Sequence, residues 1–323
     1  MTVLRSTGRL PAAAITVPRS QAIAFAVMLV LFLVAPVLIY PIFLAKVLCF
    51  ALFACAFNLL IGYAGLLSFG HAAFFGIAAY AVGHAAKMWG WPPELAILFG
   101  VAVAAALGLG FGVLAIRRQG IYFAMITLAL AQMIYFFCLK VPFTHGEDGI
   151  QAIPRGFLFG ILDLRNTATL YYVVLGIFLI GFLIIYRAIH SPFGQVLRAV
   201  RENEPRTVSL GYKPDQYKLL AFVLSAALSG LAGGTKAIVF EIATLTDVHW
   251  GTSGEVVLMT LLGGLGTVFG PVIGAVVVVA LQNYLAQLGA WVQVVQGAIF
   301  VVCVLTFRRG IIGELAGLLK QKL

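Results

Sequence analysis

Ten apolar runs, each bounded by charged or turn residues, constrain this chain more than any motif does. They cover residues 22–40, 43–61, 71–89, 95–116, 122–139, 168–186, 219–239, 255–265, 272–288 and 292–307. A helix that crosses a bilayer needs about 20 apolar residues. The eighth run is too short to cross alone, so eight or nine full spans with re-entrant pieces stand beside a count of ten. Composition agrees: 62% of the 323 residues are hydrophobic and 10% charged, against roughly half and a quarter in a soluble domain. The expected fold is an all-α polytopic membrane protein. It has a tail over 1–21, a transmembrane domain over 22–307 and a tail over 308–323. The long apolar run after Arg5, Arg9 and Arg19 reads as an uncleaved first helix rather than a signal peptide.

The basic residues orient the spans. With the N-terminus inside, the inner segments hold fifteen Lys/Arg and four acids, and the outer ones six Lys/Arg and seven acids. Cytoplasmic loops are enriched in Lys and Arg, so both termini are placed inside. The net charge of +10 therefore reports topology, not nucleic-acid binding. The loop 187–218 carries six basic residues against Glu202, Glu204 and Asp215. Val196, Leu197, Val200, Val208 and Leu210 give it helical spacing, and Gly211 stands where a helix would end. This predicts a short amphipathic helix on the cytoplasmic face, where a partner docks. The outer loop 141–167 is long enough for a lid or docking surface, or is a solvated connector.

Five spans per half would set two similar halves in inverted orientation. Segments 62–80 and 251–275 are both interrupted by glycine, at Gly65 and Gly70 and at Gly263, Gly264, Gly266 and Gly270. Irregular backbone in a membrane protein lines a cavity or is buried in protein. Candidates for a translocation path are Asn58, Ser68, His71 and Glu255, with Thr127, Gln132, Gln282 and Asn283 behind them; each alone also reads as a helix–helix hydrogen bond.

Chemistry of other kinds finds no residues. The P-loop pattern is missing, since GGTK at 233–236 lacks the first glycine and the following Ser/Thr. No HExxH or GxSxG occurs, and the five histidines are scattered. Cys49, Cys55, Cys138 and Cys303 lie in apolar runs and read as packing residues. Gly108, Gly110 and Gly112 fall mid-helix and read as packing too. No catalytic, metal or cofactor site is expected.

Four segments carry a resemblance: NLLIGYAGLLSFGHAAFFGIAAY at 58–80, THGEDGIQAIP at 144–154, RAVRENEPRTVSLGY at 198–212 and LLGGLGTVFGPVIGA at 261–275. In this order they resemble the permease subunits of branched-chain amino acid ABC importers, over nearly all of the chain after about residue 20. The resemblance implies a high-affinity uptake system of the bacterial inner membrane. It also implies a second permease subunit, two ATPase subunits that bind ATP and magnesium, and a periplasmic binding protein. Arg201, Glu202, Asn203, Glu204 and Gly211 match the family's cytoplasmic coupling helix. Pro205 departs from an Ala-rich pattern and fits only in a helix first turn, capped by Asn203 or Glu204. Relatives of this architecture carry urea, short amides or other amino acids. A self-sufficient secondary carrier, which needs coupling acids in mid-membrane, is the other class of function.

Overall fold

The computed structural model describes residues 19–286 and 310–319, with isolated positions between them. Most of the run 292–307, Cys303, and residues 1–18, 308–309 and 320–323 of the tails therefore lie outside the described residues. Each of the other nine apolar runs forms a helix. These are α1 (Arg19–Leu38), α2 (Pro41–Asn58), α3 (His71–Lys87), α4 (Pro93–Ala115), α5 (Ile121–Lys140), α6 (Thr167–His190), α9 (Pro214–Phe240), α11 (Trp250–Gly263) and α12 (Gly270–Leu285). The loop between α6 and α9 holds α7 (Pro192–Glu202) and α8 (Glu204–Ser209); α10 (Leu245–Val248) precedes α11, and α13 (Gly310–Leu319) lies beyond α12. Six described helices are long and apolar enough to cross a membrane, and α3, α11 and α12 are shorter.

Proline sets several helix starts. Pro41, Pro93, Pro192 and Pro214 each occupy the first helical position. There the missing N–H is no loss and the fixed φ already suits the helix. This is why α9 begins five residues before its apolar run.

The core is built around α2, whose residues from Leu44 to Asn58 are buried almost without exception. It packs against α6, α9, α11 and α12, while α3 and α4 pack against α9. Lipid tails are as apolar as leucine, so burial alone does not drive helix association in a membrane; close backbone approach does. A Cβ on Gly233 would run into the backbone of Phe75, and one on Gly108 into the side chain of Ala226. Gly112 likewise faces Leu219 and Phe222, whereas Gly110 faces open space. Two of the three mid-helix glycines are thus packing positions. Helices α1, α4, α5 and α6 present exposed Val27, Leu98, Met125 and Ile180, as a lipid-facing surface must.

The loop 141–167 is neither a free lid nor a bare connector. It contributes two-residue strands, β1 (Ile150–Gln151), β2 (Phe157–Leu158) and β3 (Leu162–Asp163), and β1 pairs antiparallel with β4 (Ile242–Ala243) just after α9. β2 and β3 pair with each other. Arg155 donates to the Val239 carbonyl at 2.8 Å and pairs with Glu241 at 3.0 Å, while Lys87 donates to the Gln151 carbonyl at 2.7 Å. The loop is stitched to the C-terminal ends of α3 and α9.

Candidate functional site

Two helices break on the same side of the protein, and one loop reaches both breaks. After Asn58, α2 loosens into a π-helical turn over Leu59–Ala64 and stops at Gly65, whose φ is +72°. The chain runs irregularly to His71. The second break follows α11, at Gly264 and Gly266, with φ of +120° and +73°. L-residues with side chains seldom adopt this region, so glycine is required at these turns.

Buried irregular backbone needs partners for its polar groups. At the first break, Gly70 N donates to Ser68 Oγ at 3.1 Å and Phe69 N to Thr127 Oγ1 at 3.2 Å. The N-terminus of α3 is satisfied from across the protein, where Ala72 N donates to Ser253 Oγ on α11 at 2.9 Å. At the second, Thr267 Oγ1 donates to the Gly264 carbonyl at 2.7 Å and accepts from Gly270 N at 3.2 Å. Asn58 joins the two breaks: its Nδ2 donates to the Thr267 carbonyl at 2.9 Å, and its Oδ1 accepts from Gly266 N at 3.0 Å.

The loop between α6 and α9 grips this junction. Arg201, near the end of α7, donates from Nη1 to the carbonyl of Gly62 inside the π-helical turn. A Cβ on Gly65 would sit 2.9 Å from Arg201 Cγ, so the glycine also makes room for the arginine stem. One turn earlier, Arg198 lies 5.0 Å from the centre of the Tyr63 ring, a cation–π geometry. Leu197 and Val200 anchor α7 in the core. Asn203 has extended backbone and its side chain accepts from Arg206 N at 3.0 Å, so it caps α8. Pro205 falls in the first turn of α8, where the sequence required it. The single amphipathic helix expected here is two helices, because Asn203 interrupts it, and Gly211 closes the second with φ of +88°. Glu204 accepts from Lys218 at 2.7 Å and from Gln119 at 2.7 Å, tying α8 to the foot of α9 and to the α4–α5 turn. What faces outward is Glu202, Arg206 and an apolar lip of Val208 (53% exposed), Leu210 (68%) and Tyr212.

The sequence candidates separate accordingly. Asn58, Ser68 and His71 are buried within the subunit and hold its parts together. His71 Nε2 lies 2.8 Å from Ser225 Oγ, and its ring packs edge-on against Phe57. Glu255 lies five residues inside α11, which starts at Trp250 with the side chain of His249 accepting from Gly251 N. It sits half-buried on α11. The glycine-broken segments are not inverted equivalents of each other. Both lie beside Asn58 and Arg201, on one side, whereas inverted counterparts would lie on opposite sides. Sequence reading missed Arg198, Gln119, Lys218 and Thr267, whose roles depend on which helix foot lies next to which.

Residues 39–304 match the family described as branched-chain amino acid transport system / permease component. The chain belongs to this family. The permease is 27% identical to the high-affinity branched-chain amino acid transport system permease protein LivM of Salmonella typhimurium, over 82% of this chain and 68% of the relative. LivM of Escherichia coli is equally similar over the same shares. The ribose import permease protein RbsC of Bacillus subtilis is 26% identical over 68% of this chain and 70% of its own. No solved structure matches the permease.

Proposed function

We propose that this permease is one of two membrane subunits of a bacterial inner-membrane ABC importer for branched-chain amino acids. Partner ATPases drive it, and a periplasmic binding protein feeds it. The observation that carries the mechanism is the contact of Arg201 with the Gly62 carbonyl, continued through Asn58 into the second break. A partner that seats on Val208, Leu210 and Tyr212 moves α8. Glu204 and Arg201 pass that movement to α9 and to both breaks at once. Broken helices have fewer backbone bonds to distort than continuous ones, so they yield first. No covalent chemistry is asked of this chain; ATP hydrolysis belongs to the partners.

A cytoplasmic location for α7, α8 and both termini follows from the Lys/Arg bias. It is supported by geometry: Gln21 at the start of α1 accepts from Tyr186 Oη near the inner end of α6, and Gly310 packs on Gly264. Gln21 and Gly310 thus lie on the side of α7. Counting the run 292–307, alternation gives ten membrane segments.

The test is reconstitution with two ATPases, a second permease and a binding protein of such an importer. ATP-dependent uptake of radiolabelled leucine, isoleucine or valine supports the reading. Uptake of ribose instead, as the similarity to RbsC allows, replaces the substrate. Uptake by the purified permease alone, without nucleotide, overturns the mechanism.

A further inference from the structure

We infer that the β2–β3 hairpin is an interfacial anchor, whose apolar tip enters the headgroup layer of the lipid bilayer beside the first turns of α4 and α6. The tip, residues 156–162, reads GFLFGIL and carries no charged or hydrogen-bonding side chain. Leu158 and the buried Leu164 hold the root of the hairpin on the protein. Phe157, Phe159 (70% exposed), Ile161 (83%) and Leu162 have no such cover. Ile161 N donates to the Leu158 carbonyl at 3.2 Å, closing a turn whose central residues, Phe159 and Gly160, have φ of +50° and +70°. Such turns favour Asn-Gly or Asp-Gly, because a bulky residue is strained there. The strain is borne here by an aromatic ring that the fold leaves open.

The hairpin lies at the membrane edge, because two spans begin beside it. β2 packs against α4 and β3 against α6, and both helices are long and apolar enough to cross a bilayer. A Cβ on Gly156 would meet the ring of the buried Pro93, first residue of α4, at 3.4 Å. Exposed Leu95 and Leu98 on α4, and Tyr172 and Ile180 on α6, continue the apolar surface from the hairpin along the spans. Trp89 and Trp91, both exposed, stand between α3 and α4 with ring centres 5.1 Å apart, and Phe99 lies 5.5 and 5.7 Å from them. Tryptophan collects at bilayer–water boundaries, where one end of the ring is apolar and the other wet. β2 and β3 pair only with each other among the described residues, so their outer edges carry unpaired backbone groups. Hydrocarbon offers those groups no partner, whereas headgroups and their water do. The tip therefore stops at the headgroup–acyl boundary, about 5–10 Å deep. A soluble protein fits less well: the tip gives it no polar side chain with which to fix an orientation. Through β1, which pairs with β4 just after α9, the anchor holds the C-terminal end of α9 at a fixed height in the membrane.

The experiment attaches an NBD fluorophore to Ile161→Cys and, as a control in water, to Glu147→Cys, an exposed position of the same loop. Cys303→Ser is present in both, while Cys49, Cys55 and Cys138 are buried. The full chain, assembled with its partner subunits, is reconstituted into vesicles of phosphatidylcholine and phosphatidylglycerol, with iodide on both sides. The expected result at 161 is emission shifted to the blue of that at 147, loss of quenching by iodide, and strong quenching by lipid bearing a nitroxide at the top of its acyl chain. A second probe, on Phe157→Cys, gives the same reading should the first substitution disturb the turn. Equal iodide quenching at 161 and 147 overturns the anchor. Protection from iodide without quenching by nitroxide lipid also overturns it, because another subunit then covers the tip. Protection that arises only when a binding protein is added assigns the hairpin to that protein and overturns it too. Stronger quenching from a nitroxide at the chain end overturns the interfacial depth.

Discussion

Replacing Arg201 by methionine tests the link between loop and breaks directly. Methionine keeps most of the stem that lies along Gly65 and removes only the guanidinium. The Gly62 carbonyl is in a buried residue of the π-helical turn and loses the donor from Nη1. A hydrogen bond from a charged donor contributes about 1.5–3 kcal/mol, and a buried acceptor left unmade costs about 1–3 kcal/mol. Arg201 itself is exposed, so water recovers part of its loss and the lower end, about 1–2 kcal/mol, is the better figure. That is about 5- to 30-fold in an equilibrium constant. It is too little to unfold a protein whose α7 is also anchored by Leu197 and Val200, but enough to weaken a coupling between two states. The expected phenotype of Arg201→Met is therefore uncoupling: the complex assembles, ATP is hydrolysed, and uptake per ATP falls about tenfold. Arg201→Lys recovers part of it, because an ammonium can still donate to one carbonyl. The assay is paired measurement of ATP hydrolysis and leucine uptake in the same proteoliposomes. An unchanged ratio in Arg201→Met would show that the loop does not work the breaks through this bond.

Asn58→Leu removes both bonds between the breaks and leaves Gly266 N and the Thr267 carbonyl without partners. About 2–4 kcal/mol of stability is lost, read as a lower unfolding temperature in detergent; an unchanged temperature refutes the bridging role. Glu204→Lys sets a new cation against Lys218, which is buried. Removing the partner of a buried charge costs about 3–5 kcal/mol, so uptake is abolished while membrane insertion persists, and Glu204→Gln is intermediate; normal uptake in Glu204→Lys contradicts this. Gly211→Asp forces a side chain onto a left-handed position, at about 1–2 kcal/mol, with no clash around it. It is expected to distort only the end of α8 and lower uptake without lowering the amount in the membrane, which quantitative immunoblotting beside transport checks. Cys49, Cys55 and Cys138 are buried, so a membrane-impermeant maleimide should leave all three unlabelled in intact vesicles.

The sequence alone determined where helices lie, because an apolar run in lipid has no other way to satisfy its backbone. It determined the first-turn position of Pro205 and the end at Gly211, because these are local rules of backbone geometry, while the choice of Asn203 over Glu204 as the cap came from the structure. It marked the glycines of both breaks as special: Gly65, Gly264 and Gly266 take left-handed angles that only glycine reaches cheaply, and Gly263 and Gly270 approach each other backbone to backbone. Only the tertiary structure decided that the two breaks share a side and that Asn58 ties them. It also decided that Arg201 reaches inward instead of waiting for a partner. Those contacts join residues more than a hundred positions apart, and a side chain's local sequence carries no record of which helix foot will stand beside it.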